Sequence, residues 1–145
     1  MSKTKAFLTP QEEQEIVAAI GIAEKNTSGE IRVHLEKTTS MAPIDRAVEV
    51  FHQLEMEKTN ERNGVLIYLA YESKQFAICG DEGIDQKVPT DFWNSTKDSM
   101  LAQFILGNFK QGLIDGVLKA GEQLKTHFPY QEDDIDELSN EISKG

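Results

Sequence analysis

Residues 61–84, ERNGVLIYLAYESKQFAICGDEGI, constrain the fold more than any other stretch of the chain. Asn63-Gly64 reads as a turn opening a run of seven apolar or aromatic residues, Val65 to Tyr71. Glu72-Ser73-Lys74 interrupts the run, Phe76 to Cys79 resume it, and Gly80-Asp81-Glu82-Gly83 closes it. This is the pattern of two strands joined by a short polar turn and ending in a mobile loop. The short turn makes the two strands antiparallel. The first of them shows no polar–apolar alternation, so it needs cover on both faces and belongs at the centre of a sheet. Glycines let the closing loop turn sharply, and its adjacent carboxylates offer hard oxygen ligands.

The rest of the chain supplies the cover. Thr9-Pro10-Gln11-Glu12 is a capping box with proline at the first helical position, and Ile16, Val17, Ile20 and Ala23 follow it. Asn26 to Gly29 ends that helix. Ile31, Val33 and Leu35 then alternate with Arg32, His34 and Glu36, the period of a half-buried strand. A second helix carries Ala47, Val50, Phe51 and Leu54. A third, capped by Thr90, carries Phe92, Trp93, Met100, Leu101, Phe104 and Ile105, and Gly107-Asn108 closes it. A fourth carries Phe109, Leu113, Val117, Ala120 and Leu124 and ends at His127-Phe128-Pro129. Gly112 and Gly116, four apart on that helix, serve close packing against a neighbour.

The strand–helix–strand unit over residues 30–71 is expected to be a right-handed parallel crossover. The fold class is therefore α/β: a three-layer α/β/α sandwich with a small mixed sheet of three to four strands and helices on both faces. Lys3–Leu8 is the candidate for an extra strand. At 145 residues the chain is one domain over 1–129, followed by an acidic tail over 130–145. Residues 131–145 hold six acidic side chains and one lysine, so half of the net charge of −10 lies there. The tail is either solvated or docked by Ile135, Leu138 and Ile142. Its EDDIDELSNE stretch lacks the glycine and ligand spacing of an EF-hand.

Charge narrows the partners. A net −10 repels nucleic-acid phosphates and anionic membrane surfaces, and it suits divalent cations or basic proteins. No run approaches the roughly 20 apolar residues of a membrane span, so no membrane insertion is expected. The opening MSKTKAFLTP has no apolar core of a signal peptide, and the cytoplasm is the expected location. Cys79 falls on a buried strand and reads as a structural thiol. His34, His52 and His127 lack zinc-site spacing, and His34 is expected on the solvent side of its strand.

The topology gathers oxygen donors. The first two strands start at one end of the sheet, and the third runs back to finish there. Glu30, Asn63, Asp81 and Glu82 become neighbours, with Asp85 and Asp91 following closely in chain. Such donors from separate loops suit a hard divalent cation, which takes six to eight oxygens if it is Ca²⁺.

Four pieces, SGEIRVHLE, RNGVLIYLA, FAICGDEGIDQKVPTDFW and FILGNFKQGLIDGVLKAGEQL, recur in order and spacing over about residues 8–128. Together they resemble the TPM domain family, whose members include a plant thylakoid-lumen acid phosphatase and a photosystem II repair protein. The resemblance implies an α/β/α sandwich, divalent-metal sites with Ca²⁺ in some members, and phosphatase activity in a plant member. Asn63-Gly64 matches the family's turn before the central strand, Gly80 and Gly83 its glycine-rich loop, and Asp91 the aspartate after that loop. Family loops are often richer in small residues, whereas this one carries Asp81, Glu82 and Asp85, which favours metal binding.

The leading expectation is a small metal-binding module without strong enzymatic activity, holding Ca²⁺, or Mg²⁺ in its place. Glu30, Asn63, Asp81, Glu82, Asp85 and Asp91 are its ligand set. A metal-assisted phosphatase competes, with Arg62 offered to phosphate but no evident nucleophile beside a base. A module that captures a protein partner through the acidic tail is the third reading.

Overall fold

β2 (Gly64–Ala70) is buried along its whole length, as an unalternating apolar strand requires. It pairs in parallel with β1 (Glu30–Glu36), Val33 opposite Ile67, and antiparallel with β3 (Gln75–Gly80), Ile67 opposite Ile78. The computed structural model describes residues 7–130 and 138–145. A two-residue strand, β4 (Ser143–Lys144), runs parallel to β1 on its other edge, so the four-stranded mixed sheet has the order β3-β2-β1-β4. The fourth strand thus comes from the C-terminal region. Most of the Lys3–Leu8 segment expected in that role lies outside the described residues, and Phe7 instead stacks on Tyr71 at 4.0 Å.

Side chains alternate across β1 and β2, and each face acquires its own helical layer. Ile31, Val33, Leu35, Val65, Ile67 and Leu69 point to the face covered by α1 (Pro10–Glu24) and α5 (Phe109–Lys125). Leu66, Tyr68 and Ala70, with Ala77 and Cys79 of β3, point to α2 (Pro43–Gln53) and its Ala47, Val50 and Phe51. α4 (Asn94–Ile105) lies against α5 as an outer helix. The α/β class with helices on both faces is what the sequence predicts.

α1 starts with the expected reciprocal cap: Thr9 Oγ1 accepts the Glu12 amide at 3.1 Å, and Glu12 Oε1 accepts the Thr9 amide at 2.9 Å. Gly116 and Gly121 let α5 approach its neighbours. A methyl on Gly116 would lie 2.5 Å from Met100 Sδ of α4, and one on Gly121 2.8 Å from Ala23 Cβ of α1.

Three local expectations are corrected. α4 begins at Asn94, not after Thr90, because the Pro89 carbonyl accepts the Phe92 amide at 3.1 Å and closes a turn ahead of the helix. Residues 80–83 are not an open loop; Glu82–Asp85 form a one-turn helix, α3, with Asp81 as its N-cap. Gly64 is the first residue of β2, and the left-handed residue before it is Arg62, at φ 52°. Ile135 of the expected docking set lies outside the described residues, while Leu138 packs on the α2-side core and Ile142 on the α1/α5 side. No described helix is long and apolar enough to cross a membrane.

Candidate functional site

Backbone hydrogen bonds close one end of the sheet. The Glu30 amide donates to the Asn63 carbonyl at 3.3 Å, and the Asp81 amide donates to the Gly64 carbonyl at 2.9 Å. α3 is then drawn onto residues 61–62 by the Gly83 amide, which donates to the Arg62 carbonyl at 2.9 Å. A Cβ on Gly83 would sit 2.6 Å from that carbonyl oxygen, so glycine is required there for close approach rather than for a left-handed turn.

Asp81 is the centre of this end. Its carboxylate is buried, yet it receives Arg62 Nε at 2.9 Å, Arg62 Nη2 at 3.0 Å and the Glu82 amide at 2.7 Å. This is the planar two-pronged pairing that guanidinium and carboxylate favour. Arg62 Nη1 reaches the exposed Glu82 at 3.5 Å, so the guanidinium bridges both carboxylates. The hydrogen bond to Asp81 is the chief cause that holds the Arg62 pKa up. Asp85 is exposed, yet desolvation first and the Asp81 charge second raise its carboxyl above the ordinary range. A surface cleft of about 360 Å³ opens between these groups and α2, with Val48, His52 and Cys79 in its wall. Burial first, then Asp85 and Asp81, push the Cys79 thiol up to about 11, which leaves it protonated and unreactive at neutral pH.

The other expected ligands are placed differently. Asn63 is buried, and its Nδ2 donates to Ser28 Oγ at 3.3 Å and Glu61 Oε2 at 3.4 Å. Glu30 is buried, and its carboxylate accepts the Leu138 amide. In register, Glu30 faces Gly64 of β2, and Asp81 follows the end of β3. Two strand spacings therefore separate them, about 10 Å, too far for one ion with bonds of about 2.3–2.6 Å to ligate both directly. Asp91 is exposed in the turn before α4, where its carbonyl accepts the Asn94 amide at 3.0 Å. The fold thus brings Asp81 and Glu82 together on Arg62, with Asp85 near Asp81, and leaves Glu30, Asn63 and Asp91 apart from them. Among the described residues, no group of three or more His, Cys, Asp or Glu side chains is arranged to hold a metal ion.

Sequence reasoning passed over a second polar cluster, at the far end of β1. Glu36 is buried and accepts Arg46 Nε at 2.9 Å, Arg46 Nη2 at 3.0 Å, His34 Nε2 at 3.1 Å and the Tyr68 hydroxyl. Burial alone would raise its carboxyl, but these donors, Arg46 foremost, hold it down to about 2. His34 is 4% exposed, not on the solvent side as its alternation implies. Residues 138–145 cover that row: Ser143 Oγ lies 2.9 Å from His34 Nδ1, and Arg32 Nη2 donates to the Glu141 carbonyl at 3.4 Å. With Nε2–H directed at Glu36, Nδ1 accepts the Ser143 hydroxyl. The available signal was the polar half of β1 itself, whose cover starts more than a hundred residues downstream.

A family model described as the TPM domain matches residues 1–123. The BA42 protein of the psychrophilic bacterium Bizionia argentinensis, solved by NMR, is 59% identical, with each chain covered in full and a TM-score of 0.93. Two distant solution structures share the fold. The N-terminal domain of a protein from P. gingivalis gives TM-score 0.68 at 20% identity, covering 88% of this chain and 83% of that one. The N-terminal domain of the cg2496 protein from Corynebacterium glutamicum gives 0.65 at 11% identity, with 90% of each chain covered. No curated protein matches the chain.

Proposed function

The chain belongs to the TPM domain family, and from that premise we propose that it is a divalent-cation-binding module whose cation exchanges with an internal one, the Arg62 guanidinium. The observation that carries this reading is the placement of Arg62. It occupies a left-handed backbone conformation, φ 52°, that costs a non-glycine residue about 1 kcal/mol or more, and it spans Asp81 and Glu82 there. The donor set is all oxygen, and Asp85 adds a third carboxylate, its carboxyl raised by desolvation first and by the Asp81 charge second. Such donors fit a hard cation once Arg62 swings away, and its side chain is 42% exposed, free to do so. Asp81, Glu82 and Asp85 would hold the ion, with water completing the shell. Ca²⁺ suits this irregular site better than Mg²⁺, which demands near-octahedral geometry.

Calorimetric titration of chelator-treated protein with Ca²⁺ and Mg²⁺ tests the reading. Arg62→Gln removes the competitor and should tighten Ca²⁺ binding by about tenfold, while Asp81→Asn should weaken it by at least as much. At a hundredfold excess over the dissociation constant, bound cation should add about 2.7 kcal/mol of stability. Absence of heat in both wild type and Arg62→Gln, with no thermal shift at millimolar metal, would overturn it.

A further inference from the structure

At the opposite end of the sheet from Asp81, the corner between α4 and α5 holds a cleft of about 460 Å³ with a different chemistry. Its wall is apolar: Leu69 at the end of β2, Phe76 of β3, Leu101 and Phe104 of α4, and Phe109 of α5. Phe104 anchors this wall, edge-on to Phe76 at 5.1 Å between ring centres and stacked with Phe109 at 5.5 Å. Gly107, at φ 80°, turns the chain sharply between the helices and leaves Ile105 and Leu106 on the lip, 74% and 71% exposed. A chain with a net charge of −10 thus presents one contiguous apolar opening here.

The charged side chain of the cleft is a cation. Lys74 stands in its wall, and among the described residues no carboxylate pairs with its ammonium. Lys74 sits at φ 56° in the β2–β3 turn, a position where glycine or asparagine is less strained. Beside it α5 begins at Phe109, and the Asn108 side chain does not cap it but donates to Gln103 Oε1 at 3.2 Å. The first-turn amides of α5 and the last carbonyls of α4 meet at this corner and offset one another, so Lys74 carries the charge of the site. The volume lies within the usual range for small-molecule sites, which are apolar clefts with a few directed polar groups.

We propose that this cleft binds an amphiphile with a medium-length acyl chain and a single anionic head, the chemistry of a fatty carboxylate. The acyl chain lies against Phe76, Phe104 and Phe109, and the carboxylate meets Lys74 at the mouth. This proposal is independent of cation binding at the other end of the sheet.

The experiment compares octanoate, 1-octanol and octyltrimethylammonium, each below its aggregation threshold, by amide chemical shifts and calorimetry on the full chain. Octanoate should saturate shifts at Phe76, Ile105, Gly107 and Phe109 and bind about fivefold more tightly than octanol, the effect of one partly shielded charge pair. Lys74→Asn suits the left-handed backbone and should fold at least as well; it should bring octanoate down to the affinity of octanol. Ile105→Glu, on an exposed position, should abolish binding of both. Three results would each overturn the proposal: no saturable shift with octanoate; equal affinity for octanoate and octyltrimethylammonium in the wild type; or a dimer in sedimentation that Ile105→Glu dissociates, which would place a second copy on the lip.

Discussion

Glu36 shows what a buried carboxylate needs in order to stay charged. Four side-chain donors from Arg46, His34 and Tyr68 meet its two oxygens, and the outcome is a carboxyl held near 2 against an ordinary 4.5. A pKa depressed by folding contributes stability that is present above the unfolded value and lost as pH falls through the folded one. The window is therefore about pH 4.5 down to about 2. Glu36→Gln should lower the melting temperature at pH 7, because the half-buried Arg46 and the buried His34 donors lose their anion. It should also flatten the decline between pH 4.5 and 2 relative to wild type. Parallel thermal melts across that range check this; curves that stay parallel would remove Glu36 from the account. At this scale the sequence was half legible. Alternation along Glu30–Glu36 identified the polar row, and the strand order placed Glu30, Asn63 and Asp81 at one end of the sheet. Neither could show that Arg62 would take Asp81, since a pair nineteen residues apart leaves no periodic trace.

Elements were legible wherever their signal was local. Thr9, Pro10 and Glu12 sit within four residues and define the start of α1 completely. The start of α4 was misread because Thr90 looks like a cap, while Pro89 directs the backbone into a separate turn first. α3 was hidden by Gly83, a poor helix former that is present because the turn packs directly on residues 61–62. The helical glycines separate propensity from packing in a way that mutation can read. Gly21 in α1 has nothing within 4 Å of an added Cβ, so Gly21→Ala should stabilise the protein by about 0.5–1 kcal/mol. Gly121→Ala meets Ala23 at 2.8 Å, including its backbone at 3.0 Å, which cannot move aside. It should destabilise by about 1–3 kcal/mol despite the same gain in propensity. Gly116→Ala meets the end of the flexible Met100 side chain and should fall between the two. Urea unfolding of the three variants orders them; a stabilising Gly121→Ala would mean that α1 and α5 are not pressed together as the fold requires.

At the scale of the molecule, three of the four strands and both helical layers are formed by residues 10–125, and residues 138–145 pack onto them and supply β4. β4 adds only two residues to the sheet, and the contacts of this segment with β1 are largely polar: the Leu138 amide with Glu30, the Glu141 carbonyl with Arg32, Ser143 with His34. Leu138 and Ile142 dock as one of the two readings of the tail allowed, but composition could not choose between the two, because the acidic run before them equally suits a solvated tail and the polar partners lie on the face of β1 read as solvent-facing. Two partly buried apolar anchors, Leu138 and Ile142, and a few polar contacts at a sheet edge make the segment a candidate for local opening below the global unfolding free energy. Its amides should therefore exchange with solvent faster than those of Val33 or Ile67. Removing residues 138–145 should leave a cooperative fold, with the melting temperature lower by a few degrees, as expected for a loss of about 1 kcal/mol. His34 supplies the decisive readout. Burial is the main cause that lowers its pKa below 6.5 in the intact chain, and Glu36 favours the charged form. With the cover removed, desolvation falls while Glu36 stays, so the His34 pKa should rise, as a proton NMR titration of both chains would record. An unchanged His34 titration in a folded, truncated chain would show that β1 and α2 alone bury this row, and that the C-terminal segment is incidental to it.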